Sequence, residues 1–154
     1  MLRSVLMGLV AGQRAMTPLA VLAAAARRGD LPKDAPARDL LARPAVALGA
    51  AALAAAEMAG DKLPSAPDRV VLSGLLARSV TAAFAGAVLA PPGRRAEGAA
   101  LAAAVAVGAS YIGFNLRVRA MDRFGQTPSG LVEDAVVLGS GFAIASRPGP
   151  SGLA

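Results

Sequence analysis

Apolar residues fall into five long blocks, over residues 4–26, 40–59, 68–90, 95–120 and 128–146, parted by short polar connections. At ~1.5 Å of rise per residue each block, read as a helix, crosses or nearly crosses the hydrocarbon layer of a bilayer. Punctuation agrees with these limits. Pro91, Pro92 and Gly93 stop the third block, while Pro44, Pro67 and Pro128 stand where helices begin, as the missing proline N–H allows. The pattern predicts an all-α fold, a multispanning transmembrane bundle of about five helices over residues 1–146. The Gly/Pro tail 147–154 is expected to be disordered.

Small residues recur at helical spacing and predict how the helices meet. Gly8 and Gly12 form a GxxxG in the first block; Gly74, Ala82 and Gly86 share a face with Arg78 in the third; Ala109, Gly113 and Arg117 repeat the arrangement in the fourth. Such faces let backbones approach closely in lipid. A short direct repeat is also visible: Asp61-Lys62 before Pro64 and Pro67 resembles Asp122-Arg123 before Pro128.

Composition adjusts this picture. Over 154 residues the hydrophobic fraction is 55%, the charged fraction 17% and the mean hydropathy +0.54, all shifted toward the membrane class. Much of the apolar content is Ala, a good helix former but weakly hydrophobic, so the helices depend on packing against each other. Aromatics are 3% and Trp is absent, which leaves a thin interfacial belt. The chain lacks Cys and His, removing disulfides, thiol nucleophiles, Cys/His metal sites and a His general base. No cofactor or metal is expected. The net charge of +6 suits an anionic surface, but its bases are scattered among apolar helices without stacking aromatics, so no nucleic-acid partner is expected.

If all five blocks span, alternate connections share a side. Arg27, Arg28, Lys33, Arg38, Arg43, Arg94, Arg95 and Arg147 then face Arg3, Lys62, Arg69, Arg117, Arg119 and Arg123 across the membrane. The excess places the first set in the cytoplasm, with the N-terminus outside and the C-terminus inside; a bias this small also permits dual orientation. The acids Glu57, Asp61, Asp68, Asp122, Glu133 and Asp134 all fall on the second side, several inside helix ends.

Arg14 and Arg78 stand deep in apolar blocks. An arginine near mid-bilayer costs at least ~2.5–3.5 kcal/mol on insertion scales, so both must find partners, with Glu57, Asp61, Glu133 and Asp134 available. In one reading they line a polar cavity for an anion, a lipid headgroup or a transported solute. In the other they only fix helix packing. Thr17 and Pro18 follow Arg14, and Pro18 is expected to kink the first helix. An alternative for this block is a signal peptide, but Gln13 and Arg14 interrupt its apolar run, so a retained helix is expected.

Catalysis is not expected. Ser65 near Lys62, and Ser73 or Ser79 near Arg78, are the only nucleophile candidates for a membrane-embedded hydrolase, and none has a nucleophile-elbow or Ser-x-x-Lys context. Glu133-Asp134 with Asp61 could be imagined around a divalent cation, but adjacent helical acids point ~100° apart.

Three stretches carry a family resemblance. They are Gly8-Leu9-Val10-Ala11-Gly12-Gln13-Arg14-Ala15-Met16-Thr17-Pro18, then Glu57 with Asp61-Lys62-Leu63-Pro64-Ser65-Ala66-Pro67-Asp68-Arg69, then Leu131-Val132-Glu133-Asp134-Ala135. Together they resemble the bacterial membrane-protein family catalogued as domain of unknown function 4126, over almost the whole chain. Gln13 stands where that family more usually has Leu, and Ala15 where it more usually has Ser. The resemblance implies a multi-pass protein of the bacterial inner (cytoplasmic) membrane with no established activity. It also implies that Arg14, Glu57, Asp61, Lys62, Arg69, Glu133 and Asp134 belong to the family's motifs. With Thr17 and Arg78 from the charge pattern, these are the candidate site residues. The expected partners are membrane lipid, a small anionic solute, or a second copy of the chain. The rival to a binding or transport role is a structural or assembly protein whose charges serve helix packing alone.

Overall fold

The computed structural model describes residues 1–60 and 72–146, and among them every regular element is helical. The order is α1 (Leu2–Gln13), α2 (Thr17–Arg28), the short α3 (Arg38–Leu41), α4 (Pro44–Gly60), α5 (Leu72–Leu89), α6 (Arg95–Phe124) and α7 (Gln126–Ala145). Two of them, α5 and α6, are long and apolar enough to cross a membrane; α4 is apolar but shorter.

The first block is a pair of helices, a correction to the expected continuous helix. Pro18 is the cause. In an unbroken helix its ring would collide with the carbonyl four residues back, that of Arg14, and it would leave that carbonyl unbonded. Arg14 accordingly leaves helical geometry at φ −142° and ψ 114°, and α2 restarts with the proline in its first turn. The kink expected at Pro18 is thus a full break just before it.

The two halves then fold back on each other. At the start of α1, Arg3 donates to the carbonyls of Ile144 and Ala145 at 3.0 and 2.9 Å, capping the last turn of α7. At the end of α2, Arg28 donates to the Ser146 hydroxyl at 2.9 Å, beside the same end of α7. Midway, Val10 of α1 and Val21 of α2 both lie against Gly141. The bend at residues 14–16 reaches Asp134, about two helical turns further into α7. So α1 and α2 form a hairpin that is open at one end of the molecule and has its tip among the other helices.

The other elements can be placed by this hairpin. Gly29, at φ 79°, closes α2 in the left-handed conformation that glycine tolerates, and its N–H and that of Asp30 return to the carbonyls of Ala26 and Ala25. Arg95 reaches Asp34 at 2.7 Å, bringing the 91–95 connection to the same end. From there α4 runs away, α5 returns, α6 runs away, and Gly125 at φ 84° turns the chain directly into α7, which returns. Both α1's start and α7's end therefore lie at the open end of the hairpin. A single helix over residues 4–26, as expected, would have put the start of α1 at the other end of the molecule.

Buried positions carry mostly Ala and Gly, among them Ala11, Ala82, Ala102 and Ala106, while Leu48, Leu72, Val80, Ile112 and Val132 are more than half exposed. Backbones touch at the small residues, as the GxxxG spacing predicts. A Cβ on Gly8 would lie 2.6 Å from the Ala102 carbonyl oxygen, and one on Gly12 would lie 2.7 Å from that of Ala106. At the α5–α6 crossing, a Cβ on Gly86 would strike the Gly98 carbonyl and approach the Ala102 methyl to 2.5 Å. We expect Gly86→Ala to cost about 1–3 kcal/mol through overpacking against rigid backbone. Gly108→Ala, where a Cβ meets open space, should be neutral or slightly stabilising. Unfolding in a graded denaturing-detergent titration tests the pair, and equal shifts for both variants would contradict the close-packing account.

Candidate functional site

Breaking a helix between Arg14 and Thr17 strands backbone N–H groups at the start of α2. Glu57, near the far end of α4, takes two of them: its Oε1 accepts from the Ala15 N–H at 2.7 Å and its Oε2 from the Met16 N–H at 2.8 Å. A carboxylate there also faces the positive end of the α2 dipole. Residue 15 thus contributes its main chain, and alanine in place of serine removes nothing from this contact.

Arg14 binds the other wall. Its side chain is 0% exposed; Nε and Nη2 donate to Asp134 Oδ1 at 2.9 and 2.6 Å, and Glu133 Oε2 lies 3.9 Å from Nη2. Glu133 in turn accepts from Arg117 Nη1 of α6 at 3.0 Å. Asp134 thus accepts from Arg14 and Glu133 from Arg117, while both acids lie within 4 Å of Arg14 Nη2. A third side of the tip is tied by Gln13, whose amide donates to the Ala109 carbonyl at 2.9 Å, and by Ser110 Oγ, 3.0 Å from the Gly12 carbonyl. The bend is thereby held by α4, α6 and α7 together.

Of the candidates, Arg14, Glu57, Glu133 and Asp134 converge on the tip. Thr17 joins them as the first residue of α2; it is fully buried, and its hydroxyl makes no hydrogen bond among the described residues. Arg78 is buried on α5, on the helix face that carries Ala82 and Gly86. Asp61, Lys62, Arg69 and the Ser65–Lys62 pair lie outside the described residues, as do the first copy of the Asp-Lys/Arg repeat and the tail 147–154. Ser79 donates its hydroxyl to the Leu75 carbonyl at 2.8 Å, a helix-internal bond.

Two residues of the cluster were not among the sequence candidates. In the sequence Gln13 marks an interruption of the apolar run and a departure from a family pattern, and Arg117 is one base of the charge count and the end of a small-residue stripe. A signal for Arg117 exists, since it stands one helical turn after Gly113, whose bare backbone lies against the Gln13 amide.

A pocket of about 390 Å³ opens between α1, α6 and α7 beside this cluster. Gln13, Arg117, Glu133 and Ser129 supply its polar groups, and Leu9, Ile112, Leu116, Val132 and Val136 supply apolar walls. Ile112, Leu116 and Val132 are also exposed on the outer surface. A molecule that fits this lining needs a polar group and an apolar body. Comparison with family models, curated proteins and solved structures returned no match to this chain.

Proposed function

We propose that this chain is an integral protein of the bacterial inner membrane, in which α4–α7 cross the bilayer and α1–α2 enter and leave from one face. The pocket beside the hairpin tip binds the anionic group of an amphipathic molecule, such as an acyl or alkyl chain ending in a carboxylate or phosphate. Membership of the family called domain of unknown function 4126 is part of the same proposal and rests on the sequence strings alone.

The observation that carries the binding role is the two-sided lining of the α1/α6/α7 pocket. Arg117 and the Gln13 amide lie where an anionic group needs donors, under walls that suit an apolar chain. One further feature supports it: Glu57 on the Ala15 and Met16 N–H groups is an example, within the protein, of a carboxylate seated at this tip. Arg14, by contrast, is fully enclosed and belongs to the frame that holds the bend.

The chain has no Trp, so Leu116→Trp places a single reporter in the pocket wall. A long-chain alkyl phosphate should shift its emission at low micromolar concentration, while inorganic phosphate should not. Adding Arg117→Gln should weaken the response at least tenfold with helicity unchanged. A response to inorganic phosphate alone would point to a free solute.

A second reading has its own support. Arg14 with Asp134 and Arg117 with Glu133 pair internally, as charges kept for helix packing would. On that reading the protein is an assembly element that packs against itself or a partner through exposed small-residue faces. Silence of the reporter toward both phosphates would favour it.

A further inference from the structure

A second cleft, on the opposite side of α7 from the pocket just described, is larger and carries a different charge. It has a volume of about 650 Å³ and lies between α2, α4 and α7. It exists because α4 rests on α2 and α3 and stands off from α7, and because the facing positions are small: Ala24 on α2, and Ala47, Ala51 and Ala55 on α4. Leu138 and Phe142 of α7 form the opposite wall.

The cleft is polarised along its length. At the open end of the hairpin it meets Arg27, Arg28 and Pro44, and at depth it ends beside Met58. From Pro44 to Met58 at ~1.5 Å per residue is about 21 Å, more than one leaflet of a ~30 Å hydrocarbon layer. Arg28 is held at the mouth by Asp30 at 2.8 Å, by the Ser146 hydroxyl, and by the Phe142 ring, whose centroid is 5.8 Å from the guanidinium carbon. Arg27 is exposed beside it. Basic residues at the mouth of a groove between helices are a recurrent arrangement for anionic headgroups.

We infer that this cleft is a binding site for an anionic phospholipid, with an acyl chain along the alanine face of α4 and the phosphate at Arg27 and Arg28. Charge complementarity selects that occupant: the mouth is basic, the body is uncharged, and the length matches one chain. The inference rests on the membrane reading above and is independent of the ligand proposed for the hairpin tip.

Purified full-length protein in detergent is offered phosphatidylglycerol or phosphatidylcholine of the same chains, and bound lipid is counted by native mass spectrometry. Phosphatidylglycerol should bind at least tenfold more tightly. Arg27→Gln and Arg28→Gln should each remove roughly fivefold of that preference, the scale expected for one base near an anionic surface. Lys33→Gln, on the same end but off the cleft, should change little. Ala51→Trp should block the lipid while leaving helicity intact, because α4 is largely exposed there. Equal binding of the two lipids, or an equal effect of Lys33→Gln, would overturn the site. So would efficient disulfide cross-linking of Ala51→Cys between two copies, which would make the occupant a second chain. Carbonate extraction of the chain from native membranes separates the two levels: release would sink the membrane reading itself, whereas retention with no lipid preference would sink only the site.

Discussion

Asp134→Ala should be the most damaging single substitution among the tip residues, with a loss of about 3–5 kcal/mol of stability. Its carboxylate is the closest partner of a guanidinium that is 0% exposed. Removing it takes away the acceptor of both the Nε and Nη2 hydrogen bonds of Arg14, and Glu133, 3.9 Å from Nη2 and engaged with Arg117 at 3.0 Å, is too far to replace it without moving. A carboxylate can accept from two guanidiniums, but Glu133 would have to give up its present geometry at Arg117 to reach the Arg14 donors. Arg14→Met should cost less, because Met can occupy much of the same space. The double variant Arg14→Met with Asp134→Leu should recover most of the loss, since an apolar pair of similar volume often replaces a buried ion pair without penalty. Thermal unfolding in detergent, followed by circular dichroism, measures the cycle. If Asp134→Ala unfolds within about 1 kcal/mol of the parent, too little for breaking a buried pair, Arg14 is not held as described. Glu57→Ala tests the other wall of the tip. It strands the Ala15 and Met16 N–H groups, at about 1–3 kcal/mol for each that stays buried and unbonded.

The same residues show what hydropathy and spacing carry and what they miss. Arg14, Glu57, Glu133 and Asp134 were selectable because charges inside apolar blocks are costly and must meet, whichever helices bear them. The small-residue contacts were legible from spacing: Gly8 lies four residues from Gly12 and Gly86 four from Ala82, and these glycines sit where backbones touch. The hairpin was not legible from hydropathy. Residues 4–26 are apolar on both sides of the break, and a window average does not register a reversal of direction. The local signal was steric and specific, a proline four residues after Arg14. It marks where the helix stops but says nothing about which way the chain then turns. That choice is made by tertiary partners, Glu57 on the stranded N–H groups and Asp134 on the guanidinium, which are 42 and 120 residues distant. Gln13 and Arg117 escaped for a related reason: each looks like an ordinary helix-surface polar residue until the hairpin tip is placed against α6.

Folding back the first block changes the charge arithmetic, and with it the orientation expected in a membrane. Arg3 moves to the end that holds Arg27, Arg28, Lys33, Arg38, Arg43, Arg94 and Arg95, eight bases among the described residues, against Arg117, Arg119 and Arg123 toward the other end. Over these eleven bases the seven-to-four split expected from five crossings becomes eight to three, and on the membrane reading proposed above the positive-inside rule predicts a cytoplasmic location for both the start of α1 and the end of α7. The chain has no Cys, so single substitutions report sidedness without background. Leu2→Cys, Lys33→Cys, Pro92→Cys and Ser146→Cys should be shielded in intact cells from a membrane-impermeant maleimide and labelled after permeabilisation. Thr127→Cys, in the first turn of α7 at the far end, should label in intact cells. Leu2→Cys is the discriminating position, because a continuous first helix would carry it to the opposite face from Lys33→Cys. Labelling of Leu2→Cys from outside, with Lys33→Cys shielded, would mean that residues 4–26 cross the bilayer as one segment and that the hairpin does not form in the membrane.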